Sequence, residues 1–516
     1  MRTPYLPPLA GEGISSVIAL PPGEGSGEAL PSRPRHAITT VMRSSALGLM
    51  GLGVMGANLA RNLARNGARL ALFDTASGVA EPLAKDIGAG AVGADDIAGL
   101  IAALPAPRSV MLMVPAGQPV DDALEALRPH LGAGDIVIDG GNSFYRDTQR
   151  RQIEFARQSV HVLGFGVSGG AEGALRGPAI MAGGETAAVA SVAPLFEAIA
   201  ADAPDGSACF ARVGAGAAGH FVKSVHNGIE YAHMQLIAET WHLLRRMVGM
   251  SHEEARTIFA RWAEGELSSF LMECAVQVLD TRDPESGVPM IERVVDTAEQ
   301  KGTGQWTANA ALAYGVAAPT LAEAVHARCL SALKSDRLAN ETALGPSTMA
   351  FAGDRMALTA ALGRALLAAN IAVLAQGFAL MRAADQEEGW GVDLATVARV
   401  WRGGCIVRSE LLEPIAEACA ALPAGTNLLR APALWRMVSA GDAAWRQVVV
   451  TAIAHGVPVP AFASSLSYVD ALRTGRLWAD MIAAQRDVFG QHGFTRLDKP
   501  GRHHADWAPY TGADKG

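Results

Sequence analysis

Five polar residues that could transfer protons lie within three helical turns near the middle of the chain. They follow helical spacing, at i, i+3, i+4, i+7 and i+8, so they fall on or beside one face of a predicted helix. An amine, an imidazole, an amide, a carboxyl group and a phenol can together remove and return a proton. The five are Lys223, His226, Asn227, Glu230 and Tyr231.

Gly228 interrupts the same stretch and argues against an ordinary solvated helix face, which is the more common setting for a Lys and a Glu. In a helix interior Gly costs about 1 kcal/mol relative to Ala, so its presence predicts the close approach of another element. Apolar residues such as Phe221 and Ile229 provide the remaining surface for packing. We therefore predict a packed helix with one polar face suited to proton transfer.

The stretch from residue 220 to 239 closely resembles the catalytic helix of the 6-phosphogluconate dehydrogenase family, decarboxylating enzymes of the pentose phosphate pathway. The resemblance extends from about Leu47 to Trp507. It implies that Lys223 is the general base and Glu230 the general acid. By the same resemblance, His226 and Asn227 belong to the catalytic and substrate-binding set, and Tyr231 binds substrate.

Composition limits the classes of function. The 516 residues predict about three domains. A net charge of -8 argues against a general nucleic-acid-binding protein. The five cysteines are scattered without a CxxC pair, which indicates reduced thiols in a cytoplasmic protein and no metal site. We find no apolar run of the roughly 18 residues that a membrane helix requires, so we expect no membrane span.

The pattern of elements predicts an α/β domain followed by an all-α domain. Residues 1–44 are rich in Pro and Gly and read as a disordered extension, although a chain start assigned too early is an alternative. Residues 45–215 predict a Rossmann-like, doubly wound domain, 216–477 an all-helical domain, and 478–516 an extended tail. The predicted strands are 45–52, 69–73, 110–114, 136–138, 161–165, 179–182 and 208–213.

A glycine-rich fingerprint follows the first predicted strand and opens a helix. In that context its glycines allow a tight turn and close approach to a pyrophosphate, which sits on the helix N-terminus. The pattern therefore predicts a dinucleotide cofactor. Its residues are Gly51, Leu52, Gly53, Val54, Met55 and Gly56.

Asp74 and Thr75 follow the second predicted strand and bear on which dinucleotide binds. An acidic side chain there accepts hydrogen bonds from the adenosine ribose and repels a 2'-phosphate, so we predict NAD over NADP. Family members that use NADP typically carry Asn-Arg-Thr where this chain has Asp-Thr-Ala. The alternative is that Asp74 only caps a turn and that another basic residue binds the phosphate of NADP.

The resemblance assigns further cofactor and substrate contacts. Val114, Pro115 and Ala116 end a strand above the cofactor, although the family commonly has Lys in place of Pro115. Asn142 is implied to contact both cofactor and substrate. Ser168, Gly169 and Gly170 form the loop that offers a hydroxyl and backbone N–H groups to a carboxylate. The family usually has an acid where this chain has Ala171.

The remaining substrate contacts lie in the second half of the chain. Lys301 and Arg328 resemble the family's phosphate ligands, whereas a second family Lys is replaced by Gln305. In the family the tail threads into a partner subunit, so Arg486 and His492 are expected to complete the partner's substrate site. The resemblance therefore implies a homodimer, or a dimer of dimers, with tail exchange.

The substrate implied by the resemblance is 6-phospho-D-gluconate. Lys223, neutral because burial lowers its pKa, would take the C3 hydroxyl proton while hydride passes to the nicotinamide. The β-keto acid would lose carbon dioxide, and Glu230 would protonate C1 of the enediol to release ribulose 5-phosphate. Two alternatives are a shorter β-hydroxyacid dehydrogenase and a non-catalytic dinucleotide-binding protein, although the first lacks the segment around Lys301 and the second would not need Lys223.

Overall fold

The computed structural model describes residues 46–300, 302–347 and 349–507. The predicted extension (residues 1–44) and the predicted phosphate ligand Lys301 lie outside the described residues. The strands, β1 to β10 in chain order, are Ala46–Met50, Arg69–Phe73, Ala91–Gly93, Ser109–Leu112, Ile136–Asp139, His161–Ser168, Ala179–Gly183, Phe210–Gly214, Phe494–Thr495 and Arg502–His503.

The α-helices, α1 to α19, are Val54–Arg65, Ala80–Ile87, Ile97–Ala102, Gln118–Leu127, Tyr145–Ala156, Gly170–Arg176, Thr186–Ile199, Ala218–His242, His252–Ala263, Phe270–Asp280, Thr303–Ala313, Pro319–Ala332, Lys334–Leu344, Arg355–Glu388, Leu394–Val400, Leu412–Ala421, Pro432–Ala454, Pro460–Leu472 and Ala479–Gly490. A π-helical turn, Leu243–Met247, extends α8, and 3-10 turns cover Arg128–His130, Met290–Glu292 and Leu428–Arg430.

Strands β1 to β8 form one sheet in the order β3-β2-β1-β4-β5-β6-β7-β8. Neighbours run parallel except β6 and β7, which are antiparallel. The chain moves outward from β1 in one direction and from β4 in the other, so the predicted doubly wound α/β fold is confirmed. In such sheets a ligand binds beyond the carboxyl ends of the strands where the order reverses, here β1 and β4.

All seven predicted strands of this sheet are present, and their ends differ from the prediction by a few residues. Strand β3 was not predicted. It has three residues and none of them is buried, so it carries too little apolar alternation to be recognised. Helices cover both faces of the sheet with apolar side chains, for example Leu59 of α1 on one face and Val120 of α4 on the other.

The predicted all-helical region is also confirmed, and α14 forms its centre. The carboxylate of Asp354 accepts hydrogen bonds from two backbone N–H groups of the first turn, which starts the helix. Gly389 ends it with φ of +67°, a conformation that Gly adopts without strain. Because α14 is buried along most of its length, neighbouring helices pack around it.

Helix α14 corrects the expectation that no apolar run could cross a membrane. It has 34 residues and a mean hydropathy of 1.7 over its most apolar window, which passes that test by length and composition. However, 72% of the window is buried inside the structure. A helix surrounded by protein is apolar on all faces because, like a helix surrounded by lipid, it is shielded from water. Its burial therefore identifies α14 as a core helix.

The C-terminal tail contains more regular structure than its composition indicated. Helix α19 leads into the short β9–β10 pair, and Asp487 holds the segment together. Its carboxylate accepts hydrogen bonds from the Gly493 N–H (2.8 Å), the Trp507 indole N–H (2.8 Å) and the Ala505 N–H (3.2 Å). These bonds lower the pKa of Asp487, with the indole contact as the largest cause.

Candidate active site

Helix α8 brings its polar residues against strand β6 through close backbone packing. A Cβ added to Gly219 in the first turn would lie 2.2 Å from the Gly164 carbonyl oxygen. A Cβ on Gly166 would lie 2.4 Å from the Cβ of Lys223. Real Cβ atoms do not approach so closely, so these glycines set the depth at which Lys223 enters the site.

The Lys223 amine lies in a compact, buried polar group. Its Nζ donates a hydrogen bond to Ser168 Oγ at 3.0 Å and lies 3.4 Å from His226 Nδ1. His226 Nε2 lies 3.2 Å from the same Ser168 hydroxyl. All three side chains are buried in the structure. The group thus joins a base on α8 to the loop at the end of β6.

Burial shifts the pKa values in this group. It lowers the pKa of the Lys223 amine, an effect that the nearby Glu230 and Cys405 oppose. Burial also lowers the pKa of His226 well below its ordinary value, and the positive charge of Lys223 adds to the shift. Both shifts favour neutral nitrogen atoms. A neutral amine is the form that can accept a proton.

Glu230 stands one turn further along α8 and responds to burial in the opposite sense. Burial raises the pKa of its carboxyl group, and the nearby Lys223 and Arg328 oppose the rise. Its Oε2 lies 3.8 Å from His226 Nδ1, which itself lies 3.0 Å from Asn227 Oδ1. A carboxyl group that keeps its proton can donate it. The helix therefore presents an amine and a carboxyl group whose pKa values are both shifted toward the neutral form.

The prediction that another element approaches Gly228 is confirmed. A Cβ there would lie 2.5 Å from Thr307 Cγ2 on helix α11. One turn earlier on α11, a Cβ at Gly304 would lie 2.6 Å from the Tyr231 ring. The two glycines, one on each helix, let α11 lie directly on α8. Helix α11 begins immediately after Gly302, and its first residue, Thr303, lines the same cavity as Lys223 of α8.

A small cavity joins these elements. Its lining comes from α8, from the loop after β5 and from the start of α11, and it includes residues that the sequence analysis did not assign. Thr303 and Trp306 lie in the Gly-rich segment that resembles the family's phosphate-handling segment, and Ser143 follows Asn142 in the loop that resembles the family's cofactor and substrate loop. Both resemblances could have indicated these residues. The lining residues are Asn142, Ser143, His220, Lys223, Ser224, Asn227, Thr303 and Trp306.

The Ser168–Gly170 loop turns sharply after β6, with φ of +108° at Gly169 and +63° at Gly170. A Cβ on Gly169 would lie 2.5 Å from the carbonyl oxygen of Gly404, which belongs to the helical half of the chain. The same carbonyl accepts a hydrogen bond from the Ala179 N–H at 2.8 Å. Residues 403 and 404 form a Gly-Gly pair, but the sequence did not predict that this pair contacts the Ser168–Gly170 loop.

A cleft of about 610 Å³ lies at the switch point of the sheet. Among the predicted cofactor residues, only Leu52 is absent from its lining, which also includes five unpredicted residues at strand ends. The lining residues are Met50, Gly51, Gly53, Val54, Met55, Gly56, Asp74, Thr75, Met113, Val114, Pro115, Ala116, Gly140, Gly141, Asn142 and Val167.

The cleft fits a dinucleotide. Gly53 precedes α1, and an added Cβ would have no neighbour within 4 Å among the described residues, so its backbone is open to a ligand. A Cβ on Gly56 would lie 2.0 Å from the Gly51 carbonyl oxygen, which makes Gly necessary in this turn. Leu52 acts through its backbone, because its N–H donates to Asp74 Oδ2 at 2.6 Å.

The remaining predicted substrate residues divide into two groups. Arg328 is half-buried, and its guanidinium lies 3.7 Å from the centre of the Tyr231 ring. It is also near enough to Glu230 to oppose the rise in the pKa of that carboxyl group. It donates a hydrogen bond to the Glu299 carbonyl at 2.9 Å, close in sequence to the undescribed Lys301. By contrast, Arg486 and His492 are exposed on the tail.

Two family models match this chain, one for each half. The NAD binding domain of 6-phosphogluconate dehydrogenase matches residues 46–214. The C-terminal domain of 6-phosphogluconate dehydrogenase matches residues 219–507. Together the two matches cover the sheet, the helical region and most of the tail.

Curated relatives and a solved structure agree with these matches. The NADP(+)-dependent, decarboxylating 6-phosphogluconate dehydrogenase of Bacillus subtilis (strain 168) is 42% identical over 468 residues, covering 90% of this chain and 100% of the relative. The decarboxylating enzyme of Mus musculus is 42% identical over 476 residues, covering 92% and 98%. A structure of Plasmodium falciparum 6-phosphogluconate dehydrogenase, studied apo, with NADP+ and with 6-phosphogluconate, matches with a TM-score of 0.86 at 32% identity, covering 90% of this chain and 100% of that one.

Proposed function

Because this chain belongs to the 6-phosphogluconate dehydrogenase family, we propose that the buried group around Lys223 is the centre of an oxidative decarboxylation. The protein is an oxidoreductase that converts 6-phospho-D-gluconate to D-ribulose 5-phosphate and carbon dioxide with reduction of NAD(P). The observation that carries the residue assignment is the Lys223 amine, desolvated and 3.0 Å from Ser168 Oγ, with Glu230 nearby on the same helix.

Lys223 acts as the base. Its neutral amine takes the proton of the C3 hydroxyl as the C3 hydride leaves, and the nicotinamide supplies the hydride acceptor when the cofactor is bound. Once protonated, the same ammonium stabilises the negative charge that develops on the C3 oxygen during loss of carbon dioxide. His226 and Asn227 lie next to this amine and hold the polar group around it.

Glu230 acts as the acid that protonates C1 of the enediol. Its raised pKa keeps a fraction of the carboxyl group protonated at a pH where an exposed Glu would be ionised. Ser168 and the backbone of Gly169 and Gly170 bind the substrate carboxylate, beside Asn142. Tyr231, Lys301 and Arg328 bind the other end of the substrate, and Arg328 supplies a positive charge there that suits a phosphate.

The assay that tests this function measures initial rates on 6-phosphogluconate, with carbon dioxide and reduced dinucleotide quantified together. We expect equal amounts of both products. A β-hydroxyacid dehydrogenase would reduce the dinucleotide with its own substrate and release no carbon dioxide, and a non-catalytic binding protein would give neither product. Turnover of 3-hydroxyisobutyrate in place of 6-phosphogluconate would contradict the assignment.

We also propose that NAD is preferred over NADP, although the Bacillus subtilis relative is named NADP(+)-dependent. The support is Asp74, whose carboxylate lies at the edge of the cleft. It is held in place by the Leu52 N–H (2.6 Å) and the Ala76 N–H (2.9 Å) and keeps lone pairs for ribose hydroxyls. A fixed negative charge at this position disfavours a 2'-phosphate.

The ratio of kcat/KM for NAD to that for NADP tests this preference. We expect NAD to have the higher value, and we expect Asp74→Asn to lower the ratio because it removes the negative charge but keeps the shape. Thr75→Ser, a change at the neighbouring lining residue that alters no charge, is the control. A higher kcat/KM with NADP in the unaltered protein would contradict the proposal.

We further propose that the protein is cytoplasmic and acts as a homodimer, or a dimer of dimers, in which residues 478–516 reach the partner. The limits 45–215 and 216–477 remain our proposed domain boundaries. The proposed contact between the tail and a partner is supported by the exposure of large apolar side chains on the tail. In the single chain, Trp478 is 65% exposed and Phe489 is 75% exposed. Arg486 and His492, exposed beside them, would complete the substrate site of the partner.

Mixing two inactive variants tests the exchange. Lys223→Met removes the base, and Arg486→Ala removes the tail's contribution. In a mixed dimer, one site combines the intact Lys223 of one chain with the intact Arg486 of the other. We expect co-expression to restore activity that neither variant has alone. A mixture as inactive as the separate variants, with mixed dimers demonstrated by two affinity tags, would contradict tail exchange.

A further inference from the structure

Two loops form the wall of the cofactor cleft beyond the ends of β4 and β5. The first carries Val114, Pro115 and Ala116, and the second carries Asn142. The second loop also borders the cavity that contains the Lys223 amine. The position of these loops therefore decides how the cofactor meets the substrate.

One side chain joins both loops from behind. Arg151 lies in the middle of α5, with its side chain only 1% exposed. On the first loop, its Nη2 donates to the Gly117 carbonyl at 2.9 Å, and its Nε donates to Asp121 Oδ1 at 2.8 Å in the first turn of α4. On the second loop, its Nη1 reaches Ser143 Oγ at 3.3 Å and Asp139 Oδ2 at 3.4 Å.

Asp139 extends this network to both sides of Asn142. Its Oδ1 accepts a hydrogen bond from the Gly141 N–H at 3.1 Å, and its Oδ2 accepts one from the Ser143 hydroxyl at 2.6 Å. Its backbone oxygen lies 3.0 Å from Nε2 of His220, which is on α8 three residues before the base. The residues flanking Asn142 are thus tied to the guanidinium and to the catalytic helix.

The joined loops belong to the nicotinamide end of the cleft. The adenosine end is set by Asp74, which lies at the end of β2, on the far side of β1 from β4 and β5. The hydride leaves a carbon whose hydroxyl must lie within reach of Lys223, and Asn142 shares a cavity with that amine. The nicotinamide ring must therefore lie beside the loops that Arg151 holds.

We propose that Arg151 is a positioning residue for the nicotinamide half of the cofactor. It touches neither substrate nor cofactor and acts by fixing the relative position of the two loops. The planar guanidinium suits this task because its rigid fork offers several donors in fixed directions, whereas a Lys ammonium is a single point charge. Its charge also lies between the carboxylates of Asp121 and Asp139, which compensates its burial.

Arg150 provides a matched control because it is the same residue type, next in the chain and bound to the same carboxylate. Its Nη2 contacts Asp121 at 2.9 and 3.0 Å, but its side chain is 50% exposed. If only the ion pair with Asp121 mattered, loss of either arginine would have a similar effect. If the bridge between the loops matters, only Arg151 should be important.

The experiment compares Arg151→Lys and Arg151→Met with Arg150→Met in the full-length protein. We measure KM for cofactor and for 6-phosphogluconate, kcat, and the Kd of the whole dinucleotide and of ADP, which reports the adenosine half alone. For both Arg151 variants we expect KM and Kd for the dinucleotide to rise by about tenfold or more and kcat to fall, because a misplacement near 1 Å costs up to about a hundredfold in rate. The Kd for ADP should change less than about twofold, and Arg150→Met should leave all these values nearly unchanged.

Equal weakening of ADP and of the whole dinucleotide would overturn the proposal, because it would indicate general damage to the cleft. The proposal would also be overturned if Arg151→Lys had the same KM, kcat and Kd values as the unaltered protein, because one ammonium cannot bridge both loops. If Arg151→Met does not fold by circular dichroism, Arg151→Lys and Ser143→Ala, which removes one acceptor of the bridge, decide the question. The binding data stand even if 6-phosphogluconate turnover, on which the kinetic values rest, were not observed.

Discussion

Helix α8 and the C-terminal tail both carry residues of the proposed active site, but they differ in what holds them. On α8, Lys223 and His226 are buried, and their partners come from β6 within the same chain. On the tail, Arg486 and His492 are exposed, and the hydrogen bonds centred on Asp487 close within the tail itself. The buried polar group around Lys223 is therefore assembled within one chain, whereas the tail leaves its two candidate residues exposed, as the proposed exchange with a partner requires.

The largest effect should follow from removing the amine on α8 that we propose as the base. Lys223→Met keeps the length of the side chain and removes the amine, so we expect kcat to fall by about a thousandfold or more. The variant should remain folded because the Met side chain fills nearly the same buried space as the Lys side chain. Its kcat and its circular dichroism spectrum, compared with those of the unaltered protein, test this expectation. A loss of less than about tenfold would remove Lys223 from the role of base.

A pair of phenylalanine substitutions compares the two regions directly. Phe221 on α8 is 1% exposed, and truncation to Ala should lower the free energy of unfolding by about 3–5 kcal/mol. Phe489 on the tail is 75% exposed, and the same truncation should cost less than about 0.5 kcal/mol in dilute, dissociated protein. Urea unfolding measures both. We also expect Phe489→Ala to weaken self-association in sedimentation experiments; an unchanged dimer constant would speak against the tail as a docking segment.

A smaller effect should follow where α11 lies on α8. Gly228→Ala places a methyl group 2.5 Å from Thr307 Cγ2, and we expect a loss of about 1–3 kcal/mol from this overpacking. Because α11 carries Thr303 and Trp306, the KM for 6-phosphogluconate should rise as well. Gly132→Ala is the control, since an added Cβ there meets no atom within 4 Å among the described residues. Equal effects of the two substitutions would contradict the close contact.

The smallest effect concerns the pH dependence of stability. Burial lowers the pKa of Lys223 in the folded protein below the 10.5 of an unperturbed amine. At pH values between the folded-state pKa of Lys223 and 10.5, the unfolded chain binds more protons than the folded protein does. In that pH window the amine therefore makes the folded protein more stable as pH rises and less stable as pH falls. Lys223→Met lacks this contribution. We therefore expect the unfolding free energy of Lys223→Met, relative to that of the unaltered protein, to rise as pH is lowered through the window.

That stability measurement requires urea titrations at several pH values in both proteins. If the difference in unfolding free energy between the two proteins does not change with pH, the pKa of Lys223 is similar in the folded and unfolded states. The activity provides an independent check. Because the base must be neutral, kcat/KM should rise with pH and level off at an apparent pKa below 10.5.

The residues on α8 could be predicted because their arrangement is local. Helical geometry alone places Lys223, Asn227 and Glu230 on one face, and Gly228 signalled a neighbour without identifying it. The glycine-rich turn before α1 could also be predicted, because its strand, turn and helix are consecutive in the sequence. The resemblance to a family then added roles that spacing alone does not define.

Burial of α14 shows where length and composition were insufficient. Its apolar surface is compatible with lipid or with a protein core, and only the helices around it decide between them. Strand β3 was missed for a related reason, because three partly exposed residues become a strand only through pairing with β2. In both cases the deciding partner is not adjacent in sequence.

Local sequence patterns predicted the doubly wound sheet, the helical second half, the dinucleotide turn and the order of polar groups along α8. Those features depend on periodicity and on turn residues, which are encoded within a few positions. Three contacts became visible only in the folded chain: Thr307 lies against Gly228, Gly404 meets the Ser168 loop, and Arg151 joins the two cofactor loops. Such contacts form because buried donors and acceptors need hydrogen-bond partners and buried methyl groups must be closely packed. Their partners are distant in sequence, so no local pattern predicts them.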